Sequence, residues 1–387
     1  MVWMRTLAPV DADPLLHDAI LAFASDYTPF EPILRKQGLS WMTPGLKMAT
    51  IDHAIWWHRH VRADEWLLYV QRSPSASGDA AAFPRTIEHV YGTTEIPAAP
   101  TRVATVSWVN QDVALALGVV PVGMAAVEFG GNAEKSTDWF DAALEKVEGA
   151  ERPVTWSEAA GIDAEAVASV RPDVILAAYS GLTREDYDRL SKIAPVVAYP
   201  KDVPAFGTPW QQSTRMIGQA LGKDAEAEAL VEDVEGRIAA AAQKHPDLKD
   251  ATFVYGTVDP TAADQISVYT LVDNRPRFLE SLGMKQAPVV AENSPKDQAF
   301  FFTWSPERAD ELESDVLVSW ALDASVAEAI EADPLLSALP AVAKGGLVLQ
   351  VDQQEVLSVS AISPLSIPFA LERIVPPIAE AAARSRG

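Results

Sequence analysis

Cysteine is absent from all 387 residues. That excludes disulfides, thiolate metal sites, a cysteine nucleophile and lipid attachment through an N-terminal Cys. No apolar run approaches the ~20 residues of a spanning helix, so no direct membrane insertion is expected. The start, MVWMRTLAPVDADPLLHDA, lacks the basic region and apolar stretch of a secretory signal. On this reading the chain carries no export address and, taken literally, would be cytoplasmic. Also missing are GxxxxGK[ST], GxGxxG after a first strand, HExxH and GxSxG, which lowers the expectation of an enzyme. EFGGNAE and AKGGLV read as ordinary glycine turns. Basic residues are few, 31 Lys and Arg against 54 Asp and Glu, for a net charge of -23. Nucleic acid and anionic membrane surfaces are therefore poor partners.

What is present is a repeat. DAEAVASVRPDVILAAYSG begins at Asp163, and PERADELESDVLVSWALD begins at Pro306. In each copy an acidic residue, Glu165 or Glu307, opens a short amphipathic helix. An Asp, Asp173 or Asp315, then precedes an apolar run of the kind found in buried parallel strands. Two such copies predict two similar α/β lobes, with a ligand cleft where strand ends meet.

At 387 residues the chain is long enough for two or three domains. Residues 1 to 85 hold 8 Lys and Arg against 9 Asp and Glu, so nearly all the net charge falls on the rest. Ser73 to Pro84, SPSASGDAAAFP, reads as a linker or strand end. A continuous helix is expected from about Pro209 to Lys244, closed by Pro246, as a rigid strut between lobes that limits their motion. RVATVS, VVPVGM, DVILAAY and PVVAYP are the strands expected before it. ATFVYGTV, ISVYTLV, DVLVSWA and LVLQVD are those expected after it, in mainly parallel sheets.

From Pro84 to the C-terminus the chain resembles the class III substrate-binding proteins of ABC importers, closest to the iron-siderophore branch. The resemblance rests on FPRTIEHVYGTTEIPAAPTRVATVSW, LEKVEGAERPVTWSEAAGIDAEAVASVRPDVILA, NRPRFLESLGM and TWSPERADELESDVLVSWA. It implies two α/β lobes joined by a long helix, a ferric-siderophore ligand, no cofactor of the protein's own, and a place in the cell envelope. It also implies an ABC permease as partner, whose basic residues dock on Glu165 in GIDAEAV and Glu280 in RFLESLG. Two carboxylates on separate lobes would register a basic partner at two points.

Positions just after the strands nominate ligand contacts: Trp108, Asn110, Gln111, Phe129, Tyr179, Tyr199, Tyr255, Tyr269, Arg275, Trp304 and Trp320. Aromatic walls with a few polar anchors suit a bulky metal chelate. Arginines that could pair with anionic oxygens are sparse, with Arg275, Arg277 and Arg184 the main ones. That scarcity favours a neutral or cationic hydroxamate chelate over a tris-catecholate. Haem or cobalamin is an alternative ligand, with Tyr179 or Tyr255 as the tyrosine for haem iron. His89 and His245 lie on no expected cleft edge.

Residues 1 to 82 resemble the C-terminal part of the acyl-CoA thioesterase II family, double hotdog enzymes. The resemblance rests on a helix from His17 to Phe23 and the strands MATIDHAIWWHR and EWLLYVQ. In that family Asp, Thr and Gln orient the attacking water. Asp26 in FASDYTP and Thr50 in KMATIDHA match two of them. The third partner and the closing strands have no counterpart, so little or no hydrolase activity is expected and no catalytic residue is assigned. TIEHVYGTTEI, or another chain, is expected to cover the open sheet edge. His53, His58 and His60 read as sheet packing, not as metal ligands. The expected domains are a partial hotdog segment at 1–82, a first lobe at 83–208, a connecting helix at 209–245 and a second lobe at 246–387. A thioesterase-derived enzyme is the competing function, but its resemblance covers about a fifth of the chain against three quarters for the binder. A rearranged or mis-started gene fusion, with the thioesterase fragment in place of a signal sequence, is a third reading.

Overall fold

The computed structural model describes residues 2–4, 6, 10, 13, 16–18, 20–21, 62–64, 67–69, 83–261 and 265–387. Asp26, Thr50, His53, His58 and His60 lie outside them, as does most of the Ser73–Pro84 linker. The chain divides into two compact units, Met1–Pro74 and Ser75–Gly387. In the first, strand β1 (Val2–Met4) pairs antiparallel with β2 (Leu67–Tyr69). The buried His17 accepts the Ala63 amide on Nδ1 at 3.0 Å.

The second unit opens with a hairpin, β3 (Arg85–His89) and β4 (Gly92–Ile96), paired only with each other among the described residues. Its buried face, Ile87 and Ile96, joins the apolar cluster of Val103, Val113, Val174 and Ile217. The hairpin is thus part of this unit's core. His89 is buried between the Thr94 hydroxyl and the Tyr91 amide, and so serves packing.

Two sheets follow. The first contains β5 (Val103–Thr105), β6 (Gly123–Ala125), β7 (Val154–Trp156), β8 (Val174–Leu176) and β9 (Val196–Val197), in the order β7-β6-β5-β8-β9 and all parallel. Helices α1 (Asn110–Ala116), α2 (Asp138–Leu144), α3 (Ala164–Ser169) and α4 (Arg184–Leu190) connect its strands. Strand order reverses at β5, so the crevice for a ligand lies beyond the carboxyl ends of β5 and its neighbours.

The second sheet holds β10 (Thr252–Thr257), β11 (Ile266–Tyr269), β12 (Lys285–Gln286), β13 (Phe301–Trp304), β14 (Val316–Trp320) and β15 (Leu347–Gln350). Its order is β13-β11-β10-β14-β15, with β12 also on β10. It is mixed: β12, β14 and β15 join it in parallel pairs, whereas β10–β11 and β11–β13 are antiparallel. Only eight residues separate Thr257 from Ile266, whereas a parallel return needs a crossover of about a dozen residues.

The repeated Asp has one structural role in both copies. Asp173 accepts the Thr101 amide and hydroxyl at 2.7 and 2.8 Å and the Arg102 amide at 3.0 Å. Asp315 accepts the Thr252 amide at 2.8 Å and hydroxyl at 3.0 Å. Each carboxylate thus fixes the start of its own strand to the start of the central neighbour. The helix before it differs between copies: Asp163 caps α3 through the Glu165 and Ala166 amides, whereas Glu307 sits in a 3-10 turn, Pro306–Glu311.

The expected continuous strut is two helices, α5 (Trp210–Leu221) and α6 (Asp224–Lys244). Gly222, at φ 71°, ends the first, and the Lys223 amide returns to the Gly218 carbonyl at 2.7 Å. Such left-handed caps favour glycine. The helices pack on each other and are joined by Arg215–Glu228 at 2.7 Å. Trp210, Val231, Val234 and Ile238 enter the core under the second sheet, while Ile217, Ala220, Leu221 and Ala227 enter that of the first. The pair therefore ties both cores together.

Helix α7 (Asn274–Ser281) follows β11. After it come α8 (Pro288–Asn293), α9 (Ser325–Ala332), α10 (Pro340–Ala343), α11 (Gln353–Ser360), α12 (Ser366–Arg373) and α13 (Val375–Arg386). Leu357 and Ala361, at the end of α11, pack with Val109, Trp139, Phe140 and Tyr179 from the first sheet's side. Among the described residues no helix is long and apolar enough to cross a membrane.

Candidate functional site

A cavity of about 430 Å³ opens where the loops after β5, β6 and β7 face residues after β11, β14 and β15. That volume lies in the range of small-molecule sites. One wall holds Trp108, Gln111, Val127, Phe129, Trp139 and Glu158, and the other Arg275, Trp320, Val356 and Leu357.

The turn after β5 is built to aim Trp108. Ser107 and Val109 have φ of 62° and 59°, a left-handed region that a β-branched valine adopts only when its surroundings impose it. Asn110, fully buried, imposes it. Its Nδ2 donates to the carbonyls of Val106, Trp108 and Tyr179 at 2.9, 3.0 and 2.9 Å, and its Oδ1 accepts the Tyr179 amide at 3.0 Å. The ends of β5 and β8 are thereby locked, and Trp108 is left 53% exposed against Phe206, with ring centroids 5.7 Å apart. Phe129, 42% exposed, meets Trp320 edge-on across the cavity at 6.1 Å.

Of the residues expected in the site, Trp108, Gln111, Phe129, Arg275 and Trp320 line this cavity; the others do not. Asn110 is the clamp just described. Tyr179 is buried, donates to the Ser360 carbonyl at 3.4 Å and accepts from Asn274 Nδ2 at 2.9 Å. Tyr255 is buried with its hydroxyl on Gln350 Oε1. Tyr199 packs edge-on against Tyr91 at 6.2 Å. Trp304 donates from Nε1 to the Arg308 carbonyl at 2.8 Å in the core beneath the second sheet. Tyr269 stands one layer behind the wall, accepting the Trp320 indole N–H at 3.1 Å. Burial raises the Tyr179 and Tyr255 phenols above their ordinary range, and both hydroxyls are taken up by hydrogen bonds within the protein. In each case the side chain is turned away from the cavity and into the core or the layer behind the wall.

The three arginines differ as sharply. Arg184 is exposed and paired with Asp188 at 2.9 Å. Arg277 donates to the carbonyls of Leu271 and Gly207 at 2.6 and 2.9 Å. Arg275 reaches the cavity, but both oxygens of Asp273 hold it at 2.8 and 2.6 Å, and its guanidinium lies 3.6 Å from the Tyr269 ring centroid. Burial works against its charge, but Asp273 outweighs burial and keeps the guanidinium protonated.

Sequence reasoning missed the acids. Asp112 is fully buried, and burial pushes its carboxyl up to about 6 against the pull of three donors. Those donors are the Ser363 hydroxyl at 2.6 Å, the Trp139 indole at 2.8 Å and Gln111 Nε2 at 3.2 Å. Glu158 accepts the Ser107 amide at 2.9 Å and the Trp156 indole at 3.1 Å, and burial raises its pKa. Gly130, read as an ordinary turn residue, packs so close to α11 that a Cβ would fall 2.6 Å from the Gln353 carbonyl oxygen. Glu165 and Glu280 are both exposed, on α3 and α7. Among the described residues no cluster of His, Asp and Glu could hold a metal ion.

Comparison with known proteins decides the family. The model for the family described as periplasmic binding protein matches residues 103–350. The chain belongs to the periplasmic binding proteins. Solved relatives include the iron-uptake ABC transporter substrate-binding protein PiaA of Streptococcus pneumoniae in complex with ferrichrome. That protein is 31% identical with a TM-score of 0.71, over 77% of this chain and 99% of that one. The ferric enterobactin-binding periplasmic protein FepB of Escherichia coli is 28% identical over 69% of this chain and 84% of its own length. These likenesses establish the two-lobed α/β class III architecture, and the family is one of binding proteins, not of enzymes. Residues 1–83 match a separate family, acyl-CoA thioesterase. Acyl-CoA thioesterase 2 of Haemophilus influenzae is 32% identical over 20% of this binding protein, which spans 27% of the thioesterase's length.

Proposed function

We propose that this binding protein captures a ferric siderophore in the cavity between its two sheets and delivers it to an ABC permease in the cell envelope. The observation that carries the reading is the cavity itself. It lies beyond the carboxyl ends of both sheets and is walled by Trp108, Phe129, Trp139 and Trp320, the flat apolar surfaces that the organic arms of a metal chelate pack against. PiaA, solved in complex with ferrichrome, and FepB, named for ferric enterobactin, are the relatives that support it. Glu165 and Glu280 are the permease-docking carboxylates in this reading, one on each lobe. The lobes run over 83–208 and 246–387, with the helices of 209–245 between them. Residues 1–82 form a thioesterase-derived segment without hydrolase activity.

Titration of the full chain with ferric hydroxamates, ferric catecholates, haem and cobalamin, followed by tryptophan fluorescence, tests this. Saturable submicromolar quenching by a ferric chelate is expected, with the iron-free chelator inactive. A folded protein that binds none of them, or that hydrolyses acyl-CoA instead, would overturn the reading.

A further inference from the structure

We infer that the cavity selects its ligand by charge, taking a neutral or cationic ferric chelate that carries hydrogen-bond donors and rejecting polyanionic ones, with Asp273 and Glu158 as the selecting residues. The inference rests on the receptor reading above and concerns which chelates that receptor accepts.

Among the described lining residues Arg275 is the only cation, and it is already neutralised. Asp273 closes a two-point pair on it at 2.8 and 2.6 Å, both side chains being nearly buried. A two-point pair of this kind uses the guanidinium geometry that would otherwise grip a chelate oxygen. Asp273 also caps α7 by accepting the Arg275 amide at 2.9 Å, so its carboxylate is fixed by the backbone and does not swing aside. The remaining charged groups of the wall, Asp112, Glu128 and Glu158, are all acidic.

A second observation points the same way. Gln111, only 4% exposed, lines the cavity with Oε1 unpartnered, its Nε2 being engaged by Asp112 at 3.2 Å. A buried acceptor without a donor loses free energy until a ligand supplies one. Glu158 has its oxygens on the Ser107 amide and Trp156 indole, yet keeps acceptor capacity, since a carboxylate has about four lone-pair sites. The wall therefore offers acceptors and negative charge. Amide N–H or ammonium groups on a ligand meet both, whereas an anionic catecholate chelate meets like charge in a partly desolvated site.

The test compares the affinity of the full-length protein for three iron chelates: cationic ferrioxamine B, neutral ferrichrome and trianionic ferric enterobactin. Asp273→Asn, Asp273→Ser and Glu158→Gln are measured beside the native chain. Asn and Ser both keep the helix cap while removing the negative charge that neutralises Arg275, so one variant serves if the other folds poorly. The native chain is expected to favour the first two chelates over the trianion by roughly a hundredfold or more. Either Asp273 variant narrows that gap by roughly tenfold, through a gain for the trianion. Glu158→Gln weakens ferrioxamine B more than ferrichrome. Equal or tighter binding of ferric enterobactin by the native chain overturns the inference and leaves the receptor reading intact, as does a gap unmoved in folded Asp273 variants. Binding of none of the three by folded protein defeats the receptor reading itself.

Discussion

Asn274 donates from Nδ2 to the Tyr179 hydroxyl at 2.9 Å, joining the first turn of α7 to the loop after β8 across 95 positions of sequence. The Ser360 carbonyl at the end of α11 takes both the Tyr179 hydroxyl at 3.4 Å and Asn274 Nδ2 at 3.2 Å. Three elements that meet at the floor of the cavity are thus held by one small polar network, in which every member is buried or nearly so. Such a network fixes the separation of the lobes, and its members are satisfied by one another before any ligand arrives.

Tyr179→Phe should therefore cost stability and spare binding. Removal of one hydroxyl from the network is expected to lower the free energy of unfolding by about 1 kcal/mol. Chelate affinity should stay within about twofold, because Tyr179 is not in the wall. Urea unfolding and a ligand titration on the same protein check both. A large loss of affinity at unchanged stability would place the phenol in the ligand site.

Asn110→Ala should be far more damaging. Its amide makes four hydrogen bonds to buried backbone groups, and their loss leaves the left-handed turn at Val109 unsupported. A cost of about 3 kcal/mol or more is expected, since several buried polar groups lose their partners at once. Chemical denaturation measures it. A cost below about 1 kcal/mol would show that the turn holds without the clamp.

Asp112 gives a pH dependence with a definite sign. Burial raises its pKa to about 6 in the folded chain from 3.8, so the folded state holds the proton more tightly than the unfolded one. The stability that protonation contributes is greatest at low pH and is lost as pH rises through 6. Asp112→Asn removes this loss. Relative to the native chain the variant should gain about 1 kcal/mol between pH 5 and pH 8, read from unfolding curves at each pH. A difference that does not vary with pH would mean that Asp112 stays ionised throughout.

Glu165→Arg and Glu280→Arg, singly or together, should abolish ligand-stimulated transport by the reconstituted permease while chelate affinity remains within about twofold. Both carboxylates are exposed and outside the cavity. Undiminished transport by the double variant would remove the docking role.

Much of the architecture was legible in the sequence because strand cores and their flanking aspartates leave a local pattern. The apolar runs after Asp173 and Asp315 are strands β8 and β14, and the Asp in each copy clamps the neighbouring strand. The short strand Phe301–Trp304 was not read because nothing in FFTW by itself announces pairing with β11. The break between α5 and α6 was visible in principle as the lone Gly222, but apolar spacing continues across it and hides the turn. At the cavity, chain position does not specify side-chain direction. Asn110, Tyr179 and Tyr199 follow strands as Trp108 does, and Tyr255 and Trp304 lie within β10 and β13, yet tertiary hydrogen bonds and packing draw all five inward. Arg275 lines the cavity as expected, while its pairing with Asp273, two residues earlier, depends on a helix-cap geometry that spacing alone does not specify.

Anomalous diffraction at the iron edge from crystals of the full chain grown with ferrichrome tests the central claim most directly. One strong iron peak is expected inside the cavity, between the Trp108–Phe129 wall and the side that carries Arg275 and Trp320. No iron peak there at full chelate occupancy in solution, or a peak elsewhere on the molecule, would contradict it.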